Sequence, residues 1–189
     1  IWDLVRAVGL EHNEQVAEAC LSGVFTDTGG FRFQNTNAAV YRAAAEMAEA
    51  GANSAKLANY IYFSKSEKAL ALEARVLSRL EVHNEGRVAL SWLSYKDYAE
   101  IGATREDAED LTDLVRAIKG PDIAVLINRS TQGIRASLRS KEGFNVAEVA
   151  ARFNGGGHKA AAGISVNDPK MSIEDFKETI LKALPGSSG

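Results

Sequence analysis

With a single cysteine, Cys20, the chain of 189 residues cannot close an internal disulfide, and it fits a reducing compartment. No apolar run approaches membrane-spanning length and no signal-peptide pattern opens the chain, so a cytoplasmic location is expected. Internal repeats and low-complexity tracts are also missing. So is a basic excess: the net charge is -3, whereas a sequence-blind binder of long nucleic acid is usually basic overall. The chain starts at Ile1 in what reads as mid-helix, so it is expected to be part of a longer protein. Its end, Pro185 to Gly189, reads as a disordered tail. What remains, 46% apolar and 25% charged, has the composition of a globular protein of one or two domains.

The most informative stretch runs from Asn145 to Gly163, NVAEVAARFNGGGHKAAAG. Asn145 is a good helix N-cap with Glu148 three places on, and Val146, Ala147, Val149, Ala150 and Phe153 share one helical face. The helix must stop at Asn154 and Gly155, since glycine is poor in helix interiors. Gly155, Gly156 and Gly157 would bring bare N–H groups to the surface beside His158 and Lys159, a combination suited to an anion such as phosphate. A tight turn between helix and strand is the competing reading. The loop follows a helix rather than preceding one, so neither the Walker nor the dinucleotide fingerprint applies. Charge is uneven in the same region: residues 123–163 carry +4 and the remainder -7, which suits a small anionic ligand better than a polymer.

Residues 1–63 read as four helices with no room for a sheet, broken in period at Gly23 and again at Asn35 to Asn37, which caps the third. Ser64 to Glu67 is the most polar break and a natural boundary. Beyond it a helix over 67–80 precedes strands at 87–93, 123–128 and 134–139, with a strand-like run from Ala161. A helix capped by Thr104 and stopped by Gly120-Pro121 lies between the first two strands, and a final helix starts at Ser172. Four or five strands with interspersed helices predict an α/β class with a mixed sheet flanked by helices. In the strand from Ile134, Arg135, Ser137 and Arg139 share the face opposite Ile134, Ala136 and Leu138. Solvation is the default reading for Arg135.

Ser137-Leu-Arg-Ser-Lys, then the helix, then Gly-Gly-Gly-His-Lys, closely resembles the signature of the DHHA1 domain, the substrate-binding lobe of the DHH phosphoesterases. The phrase from Gly23 to Thr36, with Thr26, Asp27, Thr28, Gly29 and Gly30 at its centre, is similar to the last metal-binding motif of the DHH domain. On its own it is an ordinary turn. The resemblance implies a C-terminal helical part of a DHH domain over 1–64, a DHHA1 domain over 65–185 and a tail over 186–189. It implies that Asp27 ligates manganese, with Thr26 and Thr28 orienting its carboxylate, and that Arg139, Ser140, Gly155, Gly156, Gly157 and His158 hold the substrate.

By that resemblance the parent hydrolyses short single-stranded RNA or a small nucleotide such as 3'-phosphoadenosine 5'-phosphate. A homodimer is an arrangement the reading leaves open. A cyclic dinucleotide phosphodiesterase of the same family, or a non-catalytic nucleic-acid-binding module as in alanyl-tRNA synthetases, are the alternatives. The chain departs from the family pattern in having no Asp-His-His and no Asp-x-Asp, while His12 and His83 read as surface polar residues. One carboxylate cannot hold a divalent cation against water, so these residues alone are expected to lack a working metal centre and activity.

Overall fold

The computed structural model describes residues 1–9, 13–33, 35–109, 111–141 and 143–186. His12, Glu142 and all of the tail except Gly186 lie outside them. The chain forms two compact units, Ile1–Lys65 and Ser66–Gly189.

The described residues of the first unit are helical and form no strand: α1 (Trp2–Ala7), α2 (Glu14–Asp27), α3 (Ala38–Glu49) and α4 (Ser54–Tyr62). Three asparagines start the last three of these. The side-chain oxygens of Asn13, Asn37 and Asn53 accept from main-chain N–H groups of the first turn that would otherwise lack a partner. Trp2, Ala17, Leu21, Phe25, Met47 and Ala52 make the small core. The period break anticipated at Gly23 does not occur, and α2 runs on to Asp27. An interior glycine costs a helix only about 1 kcal/mol, and burial of Leu21 and Phe25 on either side offsets it.

The second unit opens with α5 (Glu67–Ser78), capped by Ser66. A six-stranded sheet follows: β1 (Glu81–His83), β2 (Val88–Ser94), β3 (Ile123–Arg129), β4 (Ile134–Ser140), β5 (Gly156–His158) and β6 (Ala161–Val166). Its spatial order is β1-β2-β3-β4-β6-β5. Only β2 and β3 run parallel, so the sheet is mixed, as the sequence predicts. The helices are α6 (Tyr95–Ile101), α7 (Leu111–Arg116), α8 (Val146–Ala151) and α9 (Ile173–Ala183). The single helix expected after Thr104 is instead a 3₁₀ turn at Glu106–Ala108 followed by α7. Thr104 donates both its N–H and its hydroxyl to Asp107, which tightens that turn.

On one face of the sheet, Val125 and Ile127 of β3, Ile134, Ala136 and Leu138 of β4 and Ile164 of β6 pack on α8 and α9. On the other face, Ala89, Leu93, Ala124 and Leu126 pack on Leu72 and Val76 of α5 and Leu111 and Val115 of α7. That second layer of helices serves β2 and β3. Beyond it, on the same face, β4, β6 and β5 present Arg135, Ser165, Gly163, Gly156 and His158 to solvent.

Candidate functional site

Strand register shows which of these groups are neighbours. Arg139 pairs with Ala161, and Ala161 pairs with His158. Residues directly opposite each other share a face, so Arg139, Ala161 and His158 form one row across the sheet. Strands lie just under 5 Å apart, which places the arginine and histidine backbones roughly 10 Å apart with only a methyl group between them. The next row on this face is Ser137, Gly163 and Gly156. A Cβ built on Gly156 meets nothing within 4 Å, and one on Gly163 meets only the Ala136 carbonyl at 4.0 Å. Neither glycine has positive φ. Nothing in the fold therefore requires glycine at these two facing positions, and glycine in a strand weakens it. They leave a flat floor beside the two basic side chains.

The other two loop glycines have steric reasons. A Cβ on Gly155 would lie 2.2 Å from the Gly163 carbonyl oxygen, and one on Gly157, at φ +147, would lie 2.4 Å from that of Ala161. Gly155 also closes α8. Its N–H donates to the Ala150 carbonyl at 2.9 Å and the Asn154 N–H to Ala151 at 3.2 Å, the paired bonds of a Schellman motif, with Asn154 left-handed at φ 55. The N–H of Gly155 is thus engaged rather than bare, which corrects the reading of three free donors. Gly156 and Gly157 lie on the edge strand, where one side of the main chain has no strand partner among the described residues.

Ser140 does not offer its hydroxyl to a ligand. It is buried, and the hydroxyl donates toward the Phe144 carbonyl at 3.0 Å and the Lys159 carbonyl at 3.2 Å. The Lys159 carbonyl also accepts from the Val146 N–H at 3.0 Å, and the Ser140 N–H donates to Ala160. Ser140 therefore fastens the two-residue turn that carries His158. Arg139 stays partly exposed, with Nη1 on its neighbour's carbonyl and Nε 3.9 Å from Asp113 of α7, a distance at which little is gained.

A buried charge network braces the helices beside this face. Asp97, 2% exposed, accepts from Arg79 through both oxygens at 2.8 Å, from Arg75 at 2.6 Å, and from the N–H and hydroxyl of Ser94. Arg79 in turn stacks on Trp92 with its guanidinium carbon 3.6 Å from the ring centroid. Burial alone would raise the Asp97 carboxyl, but the hydrogen bonds from Arg79 and Ser94 outweigh it and hold it well below the usual carboxylate range. Burial pushes the Tyr98 phenol up, with the charge of Asp97 adding to it, and the hydroxyl donates to Asn128 at 3.0 Å.

In the first unit, Asp27 is exposed at the end of α2. Thr26 and Thr28 do not orient its carboxylate. Their hydroxyls return to helix carbonyls at Ser22, Gly23 and Val24. Asn35 does that work instead, its amide reaching the Asp27 carboxylate at 3.3 Å and main-chain oxygen at 3.0 Å. Asn35 was readable only as part of a helix cap, a role Asn37 fills. Gly29 and Gly30 are left-handed and are approached by the Phe33 ring and the Tyr62 hydroxyl. Among the described residues no three His, Cys, Asp or Glu side chains gather as a metal site. The donor set around Asp27 therefore does not amount to a manganese centre, and no chemical step is derived through a metal. His83, half-buried, lies 2.6 Å from the Glu81 carboxylate, which Lys177 also contacts at 3.0 Å.

These features define a DHHA1 domain: the family model of that description matches residues 85–185, over half of the chain, and the chain belongs to that family. It is similar to the bifunctional oligoribonuclease and PAP phosphatase NrnA of Thermus thermophilus, 31% identical over 184 residues that make up 97% of this chain and 54% of that protein. The NrnA of Bacillus subtilis is 31% identical over 163 residues, 84% of this chain and 51% of that one. An exopolyphosphatase-related protein of Bacteroides fragilis has a solved structure that superposes with a TM-score of 0.83 at 29% identity, over 90% of this chain and 50% of that chain. The chain thus spans about half the length of the curated relatives it matches. No helix among the described residues is long and apolar enough to cross a membrane.

Proposed function

We propose that the bare face of β4, β6 and β5 is the substrate-holding surface of a phosphoesterase, and that it grips the terminal phosphate of a short oligoribonucleotide or small nucleotide. The observation that carries this is the Gly156 and Gly163 pair, open above and unforced by the fold, next to Arg139 and His158. A main chain without side chains lets an anion approach closely, the arginine fork suits phosphate oxygens, and the edge strand leaves main-chain groups within reach. The names of the relatives, oligoribonuclease and PAP phosphatase, fit a ligand of this kind.

The reaction belongs to the whole protein and is proposed at that level: metal-dependent hydrolysis of a phosphoester, with the second unit binding and orienting the substrate. The first unit is proposed as the helical end of a DHH domain. Asp27, steadied by Asn35, would be one donor in a manganese ligand set that the described residues do not complete.

Titration of a 5'-phosphorylated dinucleotide into the chain tests the reading. Arg139→Ala and His158→Ala should each weaken binding about ten- to a hundredfold, the range for loss of one charge-assisted hydrogen bond. Gly156→Ala should leave the melting temperature unchanged and weaken binding several-fold, because its methyl would fill the floor. Variants that bind normally but melt far lower would mean the loop is only a structural turn.

A further inference from the structure

Along the same face, four residues up β4 from Arg139, Arg135 enters a cleft of about 910 Å³. The two arginines stand roughly 13 Å apart at strand spacing. The cleft is walled by α6, the 3₁₀ turn and the loop joining β3 to β4, and its lining includes Tyr95, Tyr98, Asn128 and Arg135. Tyr95, at the start of α6, is 41% exposed, so part of its ring is open to a ligand. Arg135 is exposed and has no hydrogen bond or ion pair among the described residues. The amide nitrogen of Asn128 likewise has none, since Tyr98 occupies only its oxygen. The Asp97 network fixes α6 from behind, so the two tyrosines sit on a braced element.

An aromatic face, a free guanidinium and a free amide are the groups that hold a nucleotide by its base, its phosphate and its base edge. We propose that this cleft is a second-nucleotide subsite: with the terminal phosphate between Arg139 and His158, the next phosphate meets Arg135 and the next base stacks on Tyr95. The rest of the charged lining sets Arg105 beside Glu106 and Glu109, and Arg129 is engaged on the Met171 and Pro169 carbonyls, which gives a third phosphate no net attraction. The site therefore selects dinucleotides over mononucleotides and gains little from a third unit. This rests on the phosphate-binding reading above.

The test is calorimetric titration of the chain with 5'-phosphorylated mono-, di- and triribonucleotides, without divalent metal. The dinucleotide should bind at least about tenfold tighter than the mononucleotide, the scale of one stacked base, and the trinucleotide should add less than about threefold on that scale. Tyr95→Ala and Arg135→Ala should abolish the dinucleotide gain and leave mononucleotide affinity and melting temperature unchanged, with Tyr95→Phe behaving as the parent. Equal mono- and dinucleotide affinity, or a gain that survives Tyr95→Ala and Arg135→Ala, overturns the subsite while leaving the Arg139 and His158 reading intact. If mononucleotide binding is indifferent to Arg139→Ala, the phosphate reading fails, and this subsite falls with it.

Discussion

The turn at Asp27 and the loop at Gly155 look alike on paper, each a helix end followed by glycines and a group capable of chemistry, yet they use glycine differently. In the first, Gly29 and Gly30 take left-handed backbone and face the movable ends of Phe33 and Tyr62. In the second, Gly155 and Gly157 meet main-chain oxygens that cannot yield, while Gly156 meets nothing. A glycine demanded by its surroundings says nothing about ligands. The one left bare beside a cation and a histidine does. The carboxylates differ in the same way, Asp27 exposed with a single amide and Asp97 buried under two guanidinium groups.

The sharpest break in that contrast comes from Asp97→Ala, which takes from Arg79 its carboxylate and leaves Arg75 only Glu100, and should cost roughly 3 kcal/mol in chemical denaturation, the lower end for a broken buried pair. Because the folded carboxyl is held below its unfolded value, its contribution is complete above the unfolded pKa of about 4 and is lost as pH falls through the folded value. The wild type should lose stability on acidification below about pH 4, and the variant should lose less over that window. Asp27→Ala should change stability by less than about 0.5 kcal/mol, as at most exposed positions. In a longer protein with the remaining ligands it should abolish turnover, and near-normal turnover would remove Asp27 from the metal site.

Gly155→Ala comes next. Its methyl would press on the Gly163 carbonyl, so a loss of about 3 kcal/mol, the upper end of ordinary overpacking, is expected from denaturant melts. Gly29→Ala should cost about 1–2 kcal/mol, mostly the left-handed backbone, since the Phe33 ring can move aside. Equal costs at the two sites would mean that the Gly155 loop can relax and is less fixed than its contacts imply.

How much of this was legible beforehand follows from the range of the interactions. Caps at Asn13, Asn37, Ser66, Asn145 and Ser172 are local, as are the apolar runs of β2 and β3 and the alternation of β4, and the mixed α/β class rests on them. The edge strands β1 and β5 have three residues each, too few for a period, and take strand form because β2 and β6 supply a partner. Helix α6 was invisible because Ser94 ends a strand and begins a helix at once, and its anchor comes from arginines 18 and 22 positions earlier. The Arg139 and His158 row depends on β4 pairing with β6 rather than β5, and the cleft on which strands the second helix layer covers. Neither is written in any local window. Ser140 misled because a serine beside an arginine reads as a ligand contact, and only its burial assigns it to the turn.

The smallest expected effect tests whether Arg139 is held ready or held back. Asp113 lies 3.9 Å from its Nε, both side chains being partly exposed, so the pair contributes little to stability. A phosphate on Arg139 would face that carboxylate as a like charge. Asp113→Asn should therefore leave the melt unchanged and tighten binding of a 5'-phosphorylated nucleotide about two- to fivefold, a surface-scale electrostatic effect of under about 1 kcal/mol. The gain should shrink at high salt, where exposed charges are screened. It should largely vanish when introduced together with Arg139→Ala, because the coupling runs through that guanidinium. Weaker binding by Asp113→Asn would give the carboxylate the opposite role, that of aiming the arginine, and would place the phosphate where Asp113 does not oppose it.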